Sequence, residues 1–214
     1  MNKYLLIISL VFFVSFDSFS QVKTKGKVKV NIKKEAKDLE KQGWESTTTY
    51  PLAAQYERVI LDTDEQDDEG EIVNIVGEGE FTSNSRSIAM QSAATLAKNN
   101  IGGQMETSIK SVTKIDQVND RIAQSLEEAV IVTTALVSQK ITGRPIMSIC
   151  REDKNGNYNC RVTYSFNFEK AAKLHLQLMR DELNKEKAQD VRDEYENFFK
   201  EGLYDNVRSD LSKQ

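Results

Sequence analysis

Apolar positions recur along this chain at two spacings, and the change from one to the other marks out its elements. Residues 72–81 carry Ile, Val and Phe at strand density, interrupted by Gly77 and Gly79. From Ser83 or Asn84 onward, Ala89, Ala93, Leu96, Ala97, Ile101, Met105, Ile109 and Val112 recur at helical spacing. Small residues fill the first half of that helix, which allows close approach to a sheet or another helix. Gly102 and Gly103 predict a weak point inside it, at about 1 kcal/mol per Gly relative to Ala. A second helix is predicted over 120–139, with Ile122, Leu126, Ala129, Val130, Thr133 and Val137 facing in. Residues 141–151 and 158–168 then read as a strand hairpin. Cys160, Val162, Tyr164 and Phe166 alternate there with Arg161, Thr163 and Ser165, the pattern of a sheet with one covered side. Strand, helix, helix, strand, strand is the order of an α+β layer fold: a small antiparallel sheet covered by two central helices.

The flanks are more polar. Residues 22–30 alternate Lys with small or apolar residues and read as extended or disordered. Asn31 suits the N-cap of a short helix through Gln42, with Ile32, Ala36 and Leu39 on one face and Gly43 as its stop. Trp44, the only Trp, is expected to pack over that helix end. Pro51 suits a first helical turn, and Leu52, Tyr56, Val59 and Ile60 form a weak stripe up to Leu61. An acidic loop follows over 62–70. After Phe168 the chain turns heavily charged, with neither Pro nor Gly from 169 to 201. It predicts a long charged C-terminal helix ending near Gly202, its first turns packed on the core, because three clean heptads of a coiled coil are missing.

The first twenty residues carry a further pattern. Lys3 precedes an apolar run from Tyr4 to Val14 broken only by Ser9, and Ser18 and Ser20 stand at −3 and −1 before Gln21. This reads as a cleaved export signal, without a Cys to acylate, so the expected mature protein is periplasmic or secreted and not a lipoprotein. The division that follows is 1–20 leader, 21–70 extension with short helices, 71–168 α+β domain, and 169–214 charged helical extension. No later run is apolar enough to predict a membrane span. Charge is unevenly distributed. Residues 22–41 hold eight Lys against three acids, and residues 45–80 hold eleven acids against one Arg. Mutual attraction of these lobes is the simplest reading. An acidic pI near 5.3 and the lack of a nucleic-acid motif argue against a nucleic-acid partner.

Cys150 and Cys160 are the only thiols. Lys154-Asn155-Gly156 suits a three-residue hairpin loop with Gly156 left-handed, and counting outward sets Cys150 opposite Cys160. Opposed residues on one sheet face come close enough for a cross-strand disulfide, which export permits. Free thiols, or an Asn155-Gly156 turn that slips the register, are the alternatives.

Catalytic chemistry finds little support. Gly77-Glu78-Gly79 lacks the third Gly of a dinucleotide loop, since position 82 is Thr, and its glutamates would repel a pyrophosphate. Close helix–strand packing explains these glycines better. Asp62, Asp64, Asp67, Asp68 and Glu69 could offer oxygen to Ca²⁺, but their spacing fails the EF-hand pattern and a solvated loop is the simpler reading. His175, the only His, sits among Leu174, Leu176 and Leu178 far from any nucleophile, as a packing residue would. No cofactor is expected.

The block Val76-Gly77-Glu78-Gly79, the helix with Ala89, Ala93, Ala94 and Ala97, and the helix and hairpin after it resemble the LPP20-like family. That family includes envelope lipoproteins and the N-terminal domain of the flagellar assembly protein FlgT. The likeness covers about 72–168; Gly43-Trp44 with Pro51-Leu52 and Gln55 also looks like exported proteins carrying this domain. The resemblance implies a compact envelope module for interaction or assembly, and the leading expectation is a non-catalytic one that binds other envelope proteins through the hairpin's outer face or the C-terminal helix. The alternative expectation is an exported hydrolase or small-ligand-binding protein with a pocket between sheet and helices.

Overall fold

The computed structural model describes residues 32–113, 120–183, 189–200 and 202–213. The leader, the Lys-rich residues 22–30 and the Asn31 cap lie outside the described residues. In chain order the elements are α1 (Ile32–Lys41), β1 (Glu45–Ser46), α2 (Leu52–Asp64), β2 (Asn74–Ser83), α3 (Arg86–Thr113) and α4 (Asp120–Lys140). There follow β3 (Met147–Glu152), β4 (Tyr158–Asn167), α5 (Phe168–Leu183), α6 (Gln189–Lys200) and α7 (Leu203–Leu211). The class is α+β. The four strands form one antiparallel sheet in the order β1-β3-β4-β2.

The glycines of β2 set how the layers meet. Gly77 and Gly79 lie on the face that α3 covers, and a Cβ on either would run into helix backbone, the Ala97 and Ala93 carbonyls respectively. Ala89, Ala93 and Ala97 of α3 are fully buried against this face, followed by Ile101, Met105 and Ile109. Side chains this small let helix and sheet backbones touch, as the Gly and Ala pattern predicts. Leu96 departs from its expected inward place and is 43% exposed. The contact with Gly79 is too close for a Leu beneath the helix, so the side chain is turned to the flank.

The Gly102-Gly103 step leaves α3 unbroken. At Gly102 a Cβ would collide with Ser138 Oγ and sit 2.8 Å from the Thr134 carbonyl, so this glycine lets α4 cross against α3. The central helices therefore cover the sheet in series, α3 directly and α4 behind it. Leu126, Ala129, Val130, Thr133 and Val137 of α4 are buried as expected, joined by Thr134 and Ser138. The side chain of Ile122 lies outside those described.

The second face of the sheet is not left to solvent. Trp44, Ala36 and Leu52 form a separate cluster there with Met147 and Ile149 of β3, and Thr163, expected on an open face, is 1% exposed. Gly43, at φ +84°, ends α1 and turns Trp44 back so that its amide donates to the Leu39 carbonyl. The Trp44 ring then lies beneath Arg151 (4.6 Å) and Arg161 (5.1 Å). Of the apolar stripe read from sequence, Leu52 is buried and Tyr56 and Val59 pack half-buried against the Trp44 cluster, while the polar Gln55 and Asp62 are buried on α2 as well. Gln55 accepts the Ser148 amide (2.8 Å) and donates to the Tyr50 carbonyl (2.9 Å), which fastens α2 to β3.

The charged C-terminal stretch is three helices. Gly202, at φ +80°, separates α6 from α7. Phe168, Ala171, Ala172, Met179, Val191, Tyr195, Leu203, Val207 and Leu211 from these helices all belong to the main core cluster with α3, α4 and β4.

Candidate functional site

The groups that first invite chemical interpretation are engaged in holding the fold. Cys150 and Cys160 are register partners at the head of the hairpin and form a disulfide. Asp153 organises the turn, accepting the amides of Asn155 (2.8 Å) and Asn157 (2.9 Å), with Gly156 at φ +78° as the loop chemistry predicts. The bridge closes ten residues of sequence, so replacing both cysteines with Ala should cost about 2–3 kcal/mol by loop-closure entropy. A urea titration of the variant beside the oxidised parent reads this directly.

The acidic loop is also organised from within. Asp67 Oδ1 accepts the amides of Glu69 (3.0 Å) and Glu71 (2.9 Å), and Oδ2 pairs with Arg208 Nη2 of α7 at 2.6 Å. The Glu71 amide, and after it Arg208 and the Glu69 amide, hold the Asp67 carboxyl below its usual range against desolvation. Arg208 Nε also donates to the Ile72 carbonyl (2.9 Å). Asp62 belongs to α2 and pairs with Arg58 at 2.7 Å. Among the described residues no set of His, Cys, Asp and Glu is arranged to hold a metal ion. Arg208→Met keeps the stem and removes the guanidinium, leaving the Ile72 carbonyl unpaired. The expected loss is about 1–2 kcal/mol, measured as a lower urea midpoint.

His175 is buried at the meeting of four helices. Its Nε2 lies 3.0 Å from Thr133 Oγ1 of α4, and its Nδ1 lies 2.8 Å from the Tyr204 hydroxyl of α7. Tyr204 in turn is 3.2 Å from the Tyr195 hydroxyl of α6. Thr133 donates its own proton to the Ala129 carbonyl (2.7 Å). That assigns Nε2–H as donor to Thr133 and Nδ1 as acceptor from Tyr204, a neutral imidazole. Burial alone pushes His175 down to about 4. Burial also pushes Tyr195 up to about 12 and raises Tyr204. Every group of this relay is thus held in its uncharged form. Sequence reasoning missed the network because Thr133, His175, Tyr195 and Tyr204 stand on four separate elements with no common spacing.

A hollow of about 320 Å³ opens beside the sheet, lined by the 48–50 loop, Gln55 and residues 144–146, with Arg144 its only charged group. It lies near the β1 edge and not between the sheet and α3.

What stays open is the far edge of the sheet. β2 is paired with β4 along its whole length on one side and has no described strand on the other. The Val73 carbonyl accepts the Phe168 amide beside β4, while the Val76 carbonyl accepts Gln104 Nε2 from α3. Strand alternation then points the N–H and C=O groups of Glu78, Glu80 and Thr82 outward. Ile88 and Leu96 stand in the same i, i+4 row of α3 as Gln104, so they overhang this edge. They are 52% and 43% exposed, and Phe81 below them is 40% exposed. On the opposite face Arg161 bridges Glu80 (2.7 Å) and Glu78 (3.4 Å). Burial pushes the Glu78 carboxyl up, opposed by Arg161 and reinforced by Glu80. At Glu80 desolvation would raise the carboxyl, but the hydrogen bonds from Asn159 and Arg161 together with the charges of Arg161 and Arg151 hold it low.

No family model, curated protein or solved structure matches this chain. Among the described residues no helix is long and apolar enough to cross a membrane.

Proposed function

We propose that this protein is a non-catalytic, exported envelope component that serves as an interaction or assembly module of LPP20-like type, with the open edge of β2 as its contact surface. The observation that carries this is the coincidence of outward main-chain groups at Glu78, Glu80 and Thr82 with the exposed Phe81, Ile88 and Leu96 beside them. An added strand gains affinity from main-chain hydrogen bonds and specificity from alternate side chains, and this edge offers both. The leader pattern before Gln21 supports export, and the self-contained His175 network supports a structural role for the imidazole. The hairpin's outer face and the C-terminal helices, nominated from sequence, contribute instead to packing: α1, α2 and Trp44 cover the first, and α5–α7 join the core.

A photo-reactive residue placed at Ile88 or Leu96 in producing cells should capture a discrete envelope partner or a second copy. The same residue at Glu128, exposed on α4, should capture none. Equal capture at both positions, or a protein confined to the cytosol, would overturn the proposal.

A further inference from the structure

The two sides of the β2 edge differ in chemistry, and the difference specifies what pairs there. Toward α3 the edge is roofed by Ile88 and Leu96 and floored by Phe81, so it takes small apolar side chains. Toward α1 and α2 it shows Glu78 and Glu80, two carboxylates sharing one bridging guanidinium, Arg161. A strand that fits must therefore alternate cationic and small apolar residues with a period of two. A second β2 does not fit, because its glutamates would face these glutamates.

One segment of this chain has that alternation. Residues 22–30 read Val-Lys-Thr-Lys-Gly-Lys-Val-Lys-Val, which places Lys23, Lys25, Lys27 and Lys29 on one side and Val22, Thr24, Gly26, Val28 and Val30 on the other. We infer that the β2 edge is completed by residues 22–30 of this chain as a fifth strand, its lysines over Glu78 and Glu80 and its valines under Ile88 and Leu96. Reach is adequate. Ala36 of α1 packs with Met147 and Ile149 of β3, which share a sheet face with Glu78 and Glu80 through Thr163 and Arg161, so α1 stands on the glutamate side of the sheet. Nine extended residues span about 30 Å, and pairing with Glu78 to Thr82 uses about half of that length, leaving the rest to cross from α1. Donation to the same molecule closes the sheet, and donation to a neighbour links copies into an assembly. The inference rests on the proposed reading only in that the β2 edge accepts an added strand, and the two fail differently. If the edge proves empty of residues 22–30 while photo-capture at Leu96 persists, a foreign strand is the occupant and only the inference falls.

Amide hydrogen exchange, read residue by residue by NMR on protein with residues 22–30 intact, tests this. The amides of Glu78, Glu80 and Thr82 should exchange about 100-fold more slowly than free-chain rates. In Lys25→Glu/Lys27→Glu, and separately in Val28→Pro, that protection should fall at least about tenfold. The amides of Gly77, Gly79 and Phe81, directed to β4, should not change, which shows that the variants remain folded. Mass by light scattering locates the donor: a monomer with protected amides carries its own strand, and a larger species carries a neighbour's. Either result supports the inference, but a monomer with its edge closed by its own strand overturns the contact-surface reading. Free-chain exchange at Glu78, Glu80 and Thr82 in the parent overturns it, as does protection indifferent to both variants.

Discussion

Gly79→Ala should lose about 3 kcal/mol or more of stability, the largest effect expected of any single methyl group added to this protein. The added Cβ would collide with the Ala93 carbonyl and lie 2.5 Å from the Ala97 amide nitrogen and 2.8 Å from Leu96 Cβ. Two of these three atoms are backbone, so no rotamer change relieves them, and α3 must lift from the sheet. Because Gly77 meets Ala97 and Ile101 in the same way, lifting at one glycine loosens the other. Gly103→Ala is the internal control. Nothing lies within 4 Å of its Cβ position and the residue is in the interior of α3, so helix propensity alone applies. It should gain up to about 1 kcal/mol. Urea titration of the two variants beside the parent decides the matter. Comparable losses at positions 79 and 103 would mean that α3 does not meet β2 at backbone contact.

The second large effect is a pH dependence set by His175. Its folded-state value of about 4 lies below the ordinary 6.5, so the unfolded chain binds the proton more readily than the native protein. Stability from the neutral imidazole is complete above pH 6.5 and declines as pH falls toward 4. Between pH 7 and pH 5 the loss attributable to this group is about 2 kcal/mol. His175→Gln keeps a donor and an acceptor between Thr133 and Tyr204 but does not titrate. Its stability should be nearly flat over the interval where the parent's falls. Carboxylates that titrate lower contribute equally to both proteins and cancel in the comparison. An equal slope in the two would place the imidazole in contact with water.

Much of the architecture was legible because it is written locally. The change of period at Ser83, the turn chemistry of Lys154-Asn155-Gly156 and the Gly-and-Ala pairing of β2 with α3 each depend on residues close in sequence. They foretold the α+β order, the Cys150–Cys160 register and the tight layer contact. What escaped depends on distant partners. Gln55 reads like any polar helix residue until β3 supplies the Ser148 amide. Leu96 fits the inward stripe until Gly79 removes the space beneath it. The alternation at Arg161, Thr163 and Ser165 suggested solvent because nothing in the hairpin announces that Trp44 and α2 cover it. The C-terminal stretch read as one charged helix because its buried residues, His175 among them, are sparse and their partners lie on α3 and α4. The open edge of β2 was missed for a related reason. A strand edge is a property of sheet order, and order does not follow from the sequence of a single strand.

The association state of Ile88→Asp/Leu96→Asp tests the central claim most directly. Both side chains are exposed, so urea stability should stay within about 1 kcal/mol of the parent. The complex the parent is expected to form, read by light scattering and by photo-capture in the envelope, should nevertheless be lost. A complex that survives both substitutions unchanged would contradict the β2 edge as the working surface of this protein.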